Sequence, residues 1–302
     1  MQARLGIAPI AWSNDDLPEL GGDTPLETCL REARAAGFSG IETGGKFPTT
    51  APELRAALEP HRLALASGWY SGTVLDADLS EEREKARAQL TLFRDLGAPC
   101  IAYGETAGTI QNVRDAPLAT RRRLSDDDIR SYGRKLTEFA EFCADEGMPL
   151  AFHHHMGTAI ETARDLDLLM DATGPAVHLL YDAGHMAFAG GDPLDVIARH
   201  GPRILHVHTK DIRADVIAAL DREGESFLDA VLKGAFTVPG DGSLDFGTIV
   251  ARLADAGFEG WFVVEAVQDP AKAPPAEYAQ IGYDTLSAAL EAAGYTIVEG
   301  QA

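Results

Sequence analysis

Short apolar runs of strand length alternate with longer amphipathic stretches along the whole chain. The runs fall at Leu5–Ile10, Gly40–Thr43, Leu63–Trp69, Cys100–Gly104, Leu150–His155, His178–Asp182, Ile204–Thr209 and Trp261–Glu265. Their length and near-continuous apolar character predict strands buried on both faces. Between them, helical patterns cover Thr24–Ala36, Ala51–Glu59, Ser80–Leu96, Asp126–Glu146, Ile160–Ala172, Pro193–Arg199, Arg213–Lys233 and Phe246–Ala256, with a last one near Ala276–Ala292. Ser125 precedes an acidic first turn, and Gly37, Gly97, Gly147 and Gly257 follow last turns, where a left-handed residue ends a helix most easily.

One phrase recurs before the strands: helix, glycine, small linker, apolar run, as in AAGFSGIE, DLGAPCIAY, DEGMPLAFH and DAGFEGWFVVE. It is the mark of an αβ loop repeated around a parallel sheet. Eight such units in 302 residues predict an α/β fold, a (β/α)8 TIM barrel. A doubly wound sheet fits less well, because no glycine-rich phosphate loop follows the first strand. No compositional shift marks a linker, so residues 1–302 read as a single barrel domain.

Charge narrows the range of partners. The chain carries 47 Asp and Glu against 26 Lys and Arg, a formal net charge of −21. Such a surface repels phosphate backbones and anionic membranes, so neither nucleic acid nor membrane is expected as a partner. Arg121–Arg123 lacks interleaved aromatics and reads as a solvated loop. The three cysteines, Cys29, Cys100 and Cys143, show no C-x-x-C spacing and read as reduced thiols. The opening MQARLGIAPIAW lacks a secretory layout, and no apolar run approaches the roughly 18 residues of a membrane span. A cytoplasmic protein is expected, with homo-oligomer formation left open.

In a barrel of this kind, chemistry collects where strands end. Here the second strand ends in Glu42 and the fourth reaches Glu105. The fifth ends in His153-His154-His155, the sixth in Asp182-x-x-His185, the seventh in His206-x-His208-x-Lys210, and the eighth in Glu265. One such residue is ordinary; so many ionisable groups together are costly unless a cation offsets them. Imidazole with carboxylate suits Mn²⁺, Co²⁺, Zn²⁺ or Fe²⁺. The most economical ligand set takes one residue from each of strands five to eight: His153, Asp182, His208 and Glu265. His185 can turn over the mouth as an acid or base near neutral pH. His154 and His206 read as packed or supporting histidines. Trp12, followed by Asn14, and Trp69 can wall a polyol pocket, apolar ring against apolar face.

These residues also give the chain a likeness. It resembles the xylose-isomerase-like barrels, a metal-dependent superfamily of sugar isomerases, epimerases and endonuclease IV relatives. Asp182, His185, His208 and Glu265 match that superfamily's sixth-, seventh- and eighth-strand ligand positions, while His153 stands where a fifth-strand Glu is usual. Within it, NDDLPELGGDTPLE at 14–27, GIETGGKFP at 40–48, SGWYSG at 67–72, HHHMGT at 153–158, HLLYDAGH at 178–185, HVHTKD at 206–211, FTVPGDGSLDF at 236–246 and EAVQDPAKA at 265–273 are similar to the inosose dehydratases. Ala183 and Val267 depart from that family's usual Thr and Glu.

The resemblance implies a metal-dependent hydro-lyase that dehydrates 2-keto-myo-inositol to a trihydroxycyclohexane-dione in inositol catabolism. It implies Mn²⁺ or Co²⁺ as cofactor, with glutathione in some members. Under that reading His155 and His185 are the base and acid in unassigned order, and Trp12, Asn14, Glu42, Trp69, Glu105 and Lys210 orient hydroxyls. The nearest alternative is a metal-dependent inosose or ketose isomerase or epimerase. An endonuclease would want a basic groove, which −21 disfavours, and a non-catalytic polyol binder is the third reading.

Overall fold

The computed structural model describes residues 1–300. Eight parallel strands form a closed barrel: β1 Gln2–Ile7, β2 Gly40–Thr43, β3 Ala64–Gly72, β4 Ile101–Glu105, β5 Leu150–His153, β6 Val177–Asp182, β7 Ile204–His208 and β8 Gly260–Val264. Each pairs with its sequence neighbour, and β8 closes on β1 over Ala3↔Gly260 to Ile7↔Val264. A ninth piece, Thr296–Ile297, adds to β1 near its start. The predicted (β/α)8 barrel is therefore the observed fold.

Strand parity divides the core in two. Ile101, Tyr103, Phe152, Leu179, Tyr181, Val207 and Phe262 point outward and pack with the helices in the main cluster. The alternate residues, Ala64, Ala66, Cys100, Ala102, Ala151, Leu180, Trp261 and Val263, belong to two smaller clusters inside the barrel. Those interior residues are mostly small, and the Trp261 indole fills the space they leave. Gly40 makes that possible: a Cβ there would lie 2.3 Å from Trp261 Cη2. One step further along β5 to β8 the same inward parity brings up His153, Asp182, His208 and Glu265. The polar end of the barrel is the next layer above an apolar one.

Local signals account for the helix ends. Ser125 accepts from the Asp128 N–H while Asp128 reaches back to Ser125, and Thr162 with Asp165 repeats the arrangement. Gly37, Gly97, Gly147 and Gly257 all take positive φ, as their placement after last turns predicts.

Three expectations are corrected. The first strand runs Gln2–Ile7 rather than Leu5–Ile10, because Pro9 opens a 3₁₀ turn at Pro9–Ala11. The segment 213–233 is two short helices, Ala214–Ala218 and Phe227–Leu232, since Ser226 and Asp229 form a fresh capping box after Gly224. A further helix, Ala183–Phe188, starts at the end of β6, with the Asp182 carboxylate accepting from the His185 N–H at 2.8 Å. After β7, Asp211–Ile212 pairs antiparallel with Phe236–Thr237.

All three thiols are buried, and burial pushes each up to about 12. No helix among the described residues is long and apolar enough to cross a membrane.

Gly104 gives a test of the interior packing. A Cβ on it would stand 2.0 Å from Trp69 Cη2. Gly104→Ala should cost on the order of 1–3 kcal/mol of stability by overpacking. A lowered thermal midpoint with altered tryptophan emission is the expected result.

Candidate metal centre

The ends of β5 to β8 converge. His153, Asp182, His208 and Glu265 can each offer one ligand atom such that all four atoms lie within 4.8 Å of one another. His153 Nε2 is 3.4 Å from Asp182 Oδ2, which is 3.7 Å from His208 Nδ1. His208 Nδ1 in turn lies 2.5 Å from Glu265 Oε2. Despite this proximity, Asp182 Oδ2, His208 Nδ1 and Glu265 Oε2 are all buried without a hydrogen-bond partner. Buried polar atoms are normally satisfied, so a cluster of unsatisfied atoms aimed at a common point asks for a cation.

The charge balance asks for the same thing. Glu42, Asp182 and Glu265 are buried or nearly so, and the fully buried Lys210 ammonium stands 3.2 Å from Glu265 and 3.9 Å from Asp182. Three carboxylates against one ammonium leave two negative charges in a dry space once His208 serves as a neutral ligand, the deficit that one divalent ion removes. Burial pushes Asp182 up, but Lys210 and the facing His153 and His208 outweigh it and hold the carboxyl well below its ordinary range. Glu265 is likewise brought down to about 2, mainly by Lys210 and His208 against burial. Burial would push His208 down, yet Glu42 and Glu265 hold it well above the usual imidazole range. The donor set, two imidazoles and two carboxylates with no thiolate, fits a divalent ion of the Mn²⁺ to Zn²⁺ class.

His155 and His185 sit beside this centre with ring centroids 4.1 Å apart. His155 Nδ1 is 2.8 Å from the Met156 carbonyl, so Nδ1–H donates there and Nε2 keeps its lone pair. His185 Nε2 is 2.8 Å from Lys210 Nζ and accepts from it, which places the ring proton on Nδ1. Burial, reinforced by neighbouring cations, drives His155 down to about 3 and His185 well below its ordinary value. Both rings are therefore neutral. Lys210 also reaches Glu265 Oε1 at 3.2 Å and lies over the Phe236 ring.

A cavity of about 520 Å³ opens above these groups. His153, His155, His208, Glu265, Glu42 and Trp69 line it, with Asp15, Asp16, Ser71, Thr106, Thr109, Gln111 and Asn112 among the polar residues of its wall. The last four come from the loop after β4, whose polar run TAGTIQN is the sequence signal that could have found them. Asp16 is visible only as part of the polar stretch after Trp12.

Other expected residues stand elsewhere. Trp12 is buried with its Nε1 donating to Glu32 Oε2 at 2.8 Å, away from the cavity lining. Asn14 Oδ1 accepts from the Asp16 and Leu17 N–H groups and shapes a turn. Glu105 shares the outward parity of Ile101 and Tyr103, so its carboxylate accepts from Tyr103 Oη at 2.8 Å and from the Leu75 and Ala107 N–H groups. Lys210 and His185 lie behind the cavity wall rather than on it. Among the histidines read as supporting, His154 Nδ1 meets the Glu161 carbonyl at 3.2 Å and His206 Nε2 meets Glu42 at 2.8 Å. Ala183 is fully buried, and Val267 packs in an apolar cluster with Met156, Phe188 and Phe227.

Comparison with known proteins agrees with this frame. A family model described as a xylose isomerase-like TIM barrel matches residues 30–296. The rhizopine catabolism protein MocC of Rhizobium meliloti is 50% identical, the match covering 100% of this chain and 93% of that protein. An inosose dehydratase of Geobacillus thermodenitrificans (strain NG80-2) is 43% identical over 92% of this chain and 94% of its own. Among solved structures, the IolI protein with a bound zinc atom superposes with a TM-score of 0.67 at 15% identity, covering 96% of this chain and 98% of that one. At that identity the likeness is one of fold.

Removing single donors should separate the centre from its surroundings. His153→Ala and Glu265→Gln are each expected to lose most of the divalent metal that elemental analysis finds in the parent protein, whereas Trp12→Phe keeps it. Equal metal content in all four proteins would refute this donor set.

Proposed function

Since the chain belongs to the xylose isomerase-like TIM-barrel family, we propose that it is an inosose dehydratase, a hydro-lyase that converts 2-keto-myo-inositol to a trihydroxycyclohexane-dione. The observation that carries the reading is the pairing of a four-donor centre with two neutral histidines whose Nε2 atoms differ, free toward the cavity in His155 and held by Lys210 in His185. Its support from relatives is the inosose dehydratase likeness over most of the chain.

A 2-keto-inositol has an acidic hydrogen on the carbon beside its ketone and a hydroxyl one carbon further on. A divalent ion, Mn²⁺ or Co²⁺ in this reading, held by His153, Asp182, His208 and Glu265 would act as a Lewis acid toward the ketone and its neighbouring oxygen. The protein's own groups do the rest. His155 lines the cavity with an unprotonated Nε2 and takes the α-proton. The departing β-hydroxyl needs a proton, which His155 returns from Nε2 once it holds the α-proton, with the His185 and Lys210 pair packed behind its ring. The substrate thus loses one proton from carbon, gains one on the leaving oxygen and releases water; the resulting enol tautomerises to the dione. Trp69 presents its ring to the cavity with Nε1 tied to Ser71 Oγ at 2.8 Å, an apolar wall for the sugar-like ring. Asp16 and the 106–112 loop bring polar atoms to the rim, so hydroxyl orientation falls to them more than to Trp12, Asn14 or Glu105. In this reading the whole chain works as one domain on a small polyol ketone.

MocC, at 50% identity, favours a second reading in which the same site serves rhizopine catabolism. Metal-free protein, reloaded with each divalent ion in turn, is therefore assayed on 2-keto-myo-inositol and on rhizopine-derived substrates. Formation of an ultraviolet-absorbing dione from the inosose is the expected outcome. An unchanged product mass, with only hydrogen exchanged in D₂O, would instead mark an isomerase or epimerase and overturn the dehydratase reading.

His155→Ala should lower kcat by about 10²- to 10⁴-fold while retaining metal. Wild-type turnover in that variant would remove His155 from the chemistry.

A further inference from the structure

His208 is held from both sides, and the two sides differ. Its Nδ1 faces Asp182 and Glu265, whereas its Nε2 lies 3.1 Å from Glu42 Oε1. The same Glu42 oxygen stands 2.8 Å from His206 Nε2. A carboxylate this buried between two imidazoles accepts and does not donate, so both rings must carry their proton on Nε2. Nδ1, the atom that points at the other proposed donors, is then the nitrogen that offers a lone pair when a metal ion displaces its proton.

The reach is long. Glu42 belongs to β2 and His208 to β7, and the strands between them are β1 and β8. The carboxylate therefore crosses the barrel interior to meet β7. Both strands are adjusted for the encounter: the β2–β3 register shifts between Ile41 and Glu42, and the β6–β7 register shifts opposite Leu205, just before His206. His206, fully buried with its Nδ1 unpartnered, has no route to the cavity and braces the far side of the carboxylate.

We propose that Glu42 is a positioning residue for the metal centre: it fixes His208 as the Nε2–H tautomer and holds the ring so that Nδ1 is the coordinating atom, with His206 as the brace. This rests on the reading of His153, Asp182, His208 and Glu265 as the ligands of a divalent ion. Glu42, His206 and His208 could also be taken for a second ion site. Hydrogen-bond separations of 2.8 and 3.1 Å onto one oxygen favour protons there instead. Removing a partner of this kind typically weakens metal binding about 10- to 100-fold.

The test uses full-length protein and Zn²⁺ alone, with affinity read by competition against a chromophoric chelator. Wild type is expected to take one Zn²⁺ per chain, and Glu42→Gln to bind it about 10- to 100-fold more weakly with unchanged circular dichroism. Glu42→Gln with wild-type affinity and a raised KM would make Glu42 a substrate contact and overturn the proposal. Two Zn²⁺ per chain, falling to one in Glu42→Gln, would overturn it in favour of a second ion site. A wild-type protein that binds no Zn²⁺ would remove the metal reading itself and this inference with it. Should the variant not fold, the ¹⁵N histidine spectrum of Zn²⁺-loaded wild type decides: His208 protonated on Nε2 supports the proposal, and protonation on Nδ1 overturns it.

Discussion

Carboxylates packed out of water must be neutralised, and the upper end of this barrel holds three of them, of which Asp182 and Glu265 lie within reach of the Lys210 ammonium. Lost hydration costs several kcal/mol per ion in a protein interior, so everything nearby is arranged around that deficit. Lys210, fully buried, spans Glu265 and His185 and rests on the Phe236 ring. The antiparallel pair of Asp211–Ile212 with Phe236–Thr237 keeps the ring in place. The apolar layer beneath, plugged by Trp261, keeps water from reaching the carboxylates from below. In the helix that begins at Ala183 the His185 N–H donates to one Asp182 carboxylate oxygen, and the other is left without a partner.

The same packing gives two chemically identical imidazoles different hydrogen-bond partners. One ring donates to a carbonyl and keeps a lone pair toward the cavity; the other accepts from an ammonium and keeps a proton. A barrel shared with distant relatives at 15% identity supplies the frame, while these partners come from Met156 and Lys210 in this chain.

Much of the frame is legible in the residue pattern alone. Eight apolar runs with recurring glycine-linker phrases are enough to predict a barrel, because strand length and αβ loop chemistry are local properties. The candidate donors are legible because His153, Asp182, His208 and Glu265 all close strands with the same inward parity. Parity also explains a misplaced expectation: Glu105 sits one step out of phase with Ala102 and Gly104 and ends under the helices. Trp12 follows Pro9, whose turn swings the indole toward Glu32, a long-range contact with no local signal. The break in 213–233 is written in Ser226 and Asp229, yet the apolar period masks it. That Glu42 reaches His206 and His208 depends on two register shifts, which no strand pattern declares.

The buried cysteines have a practical meaning. With every native thiol packed away and pushed up to about 12, thiolate is scarce at neutral pH and unreachable by a bulky reagent. The wild-type chain is already a silent background for labelling. One cysteine introduced on the 106–112 loop would be the single reactive sulfur, and a dye carried there would report on the cavity rim alone.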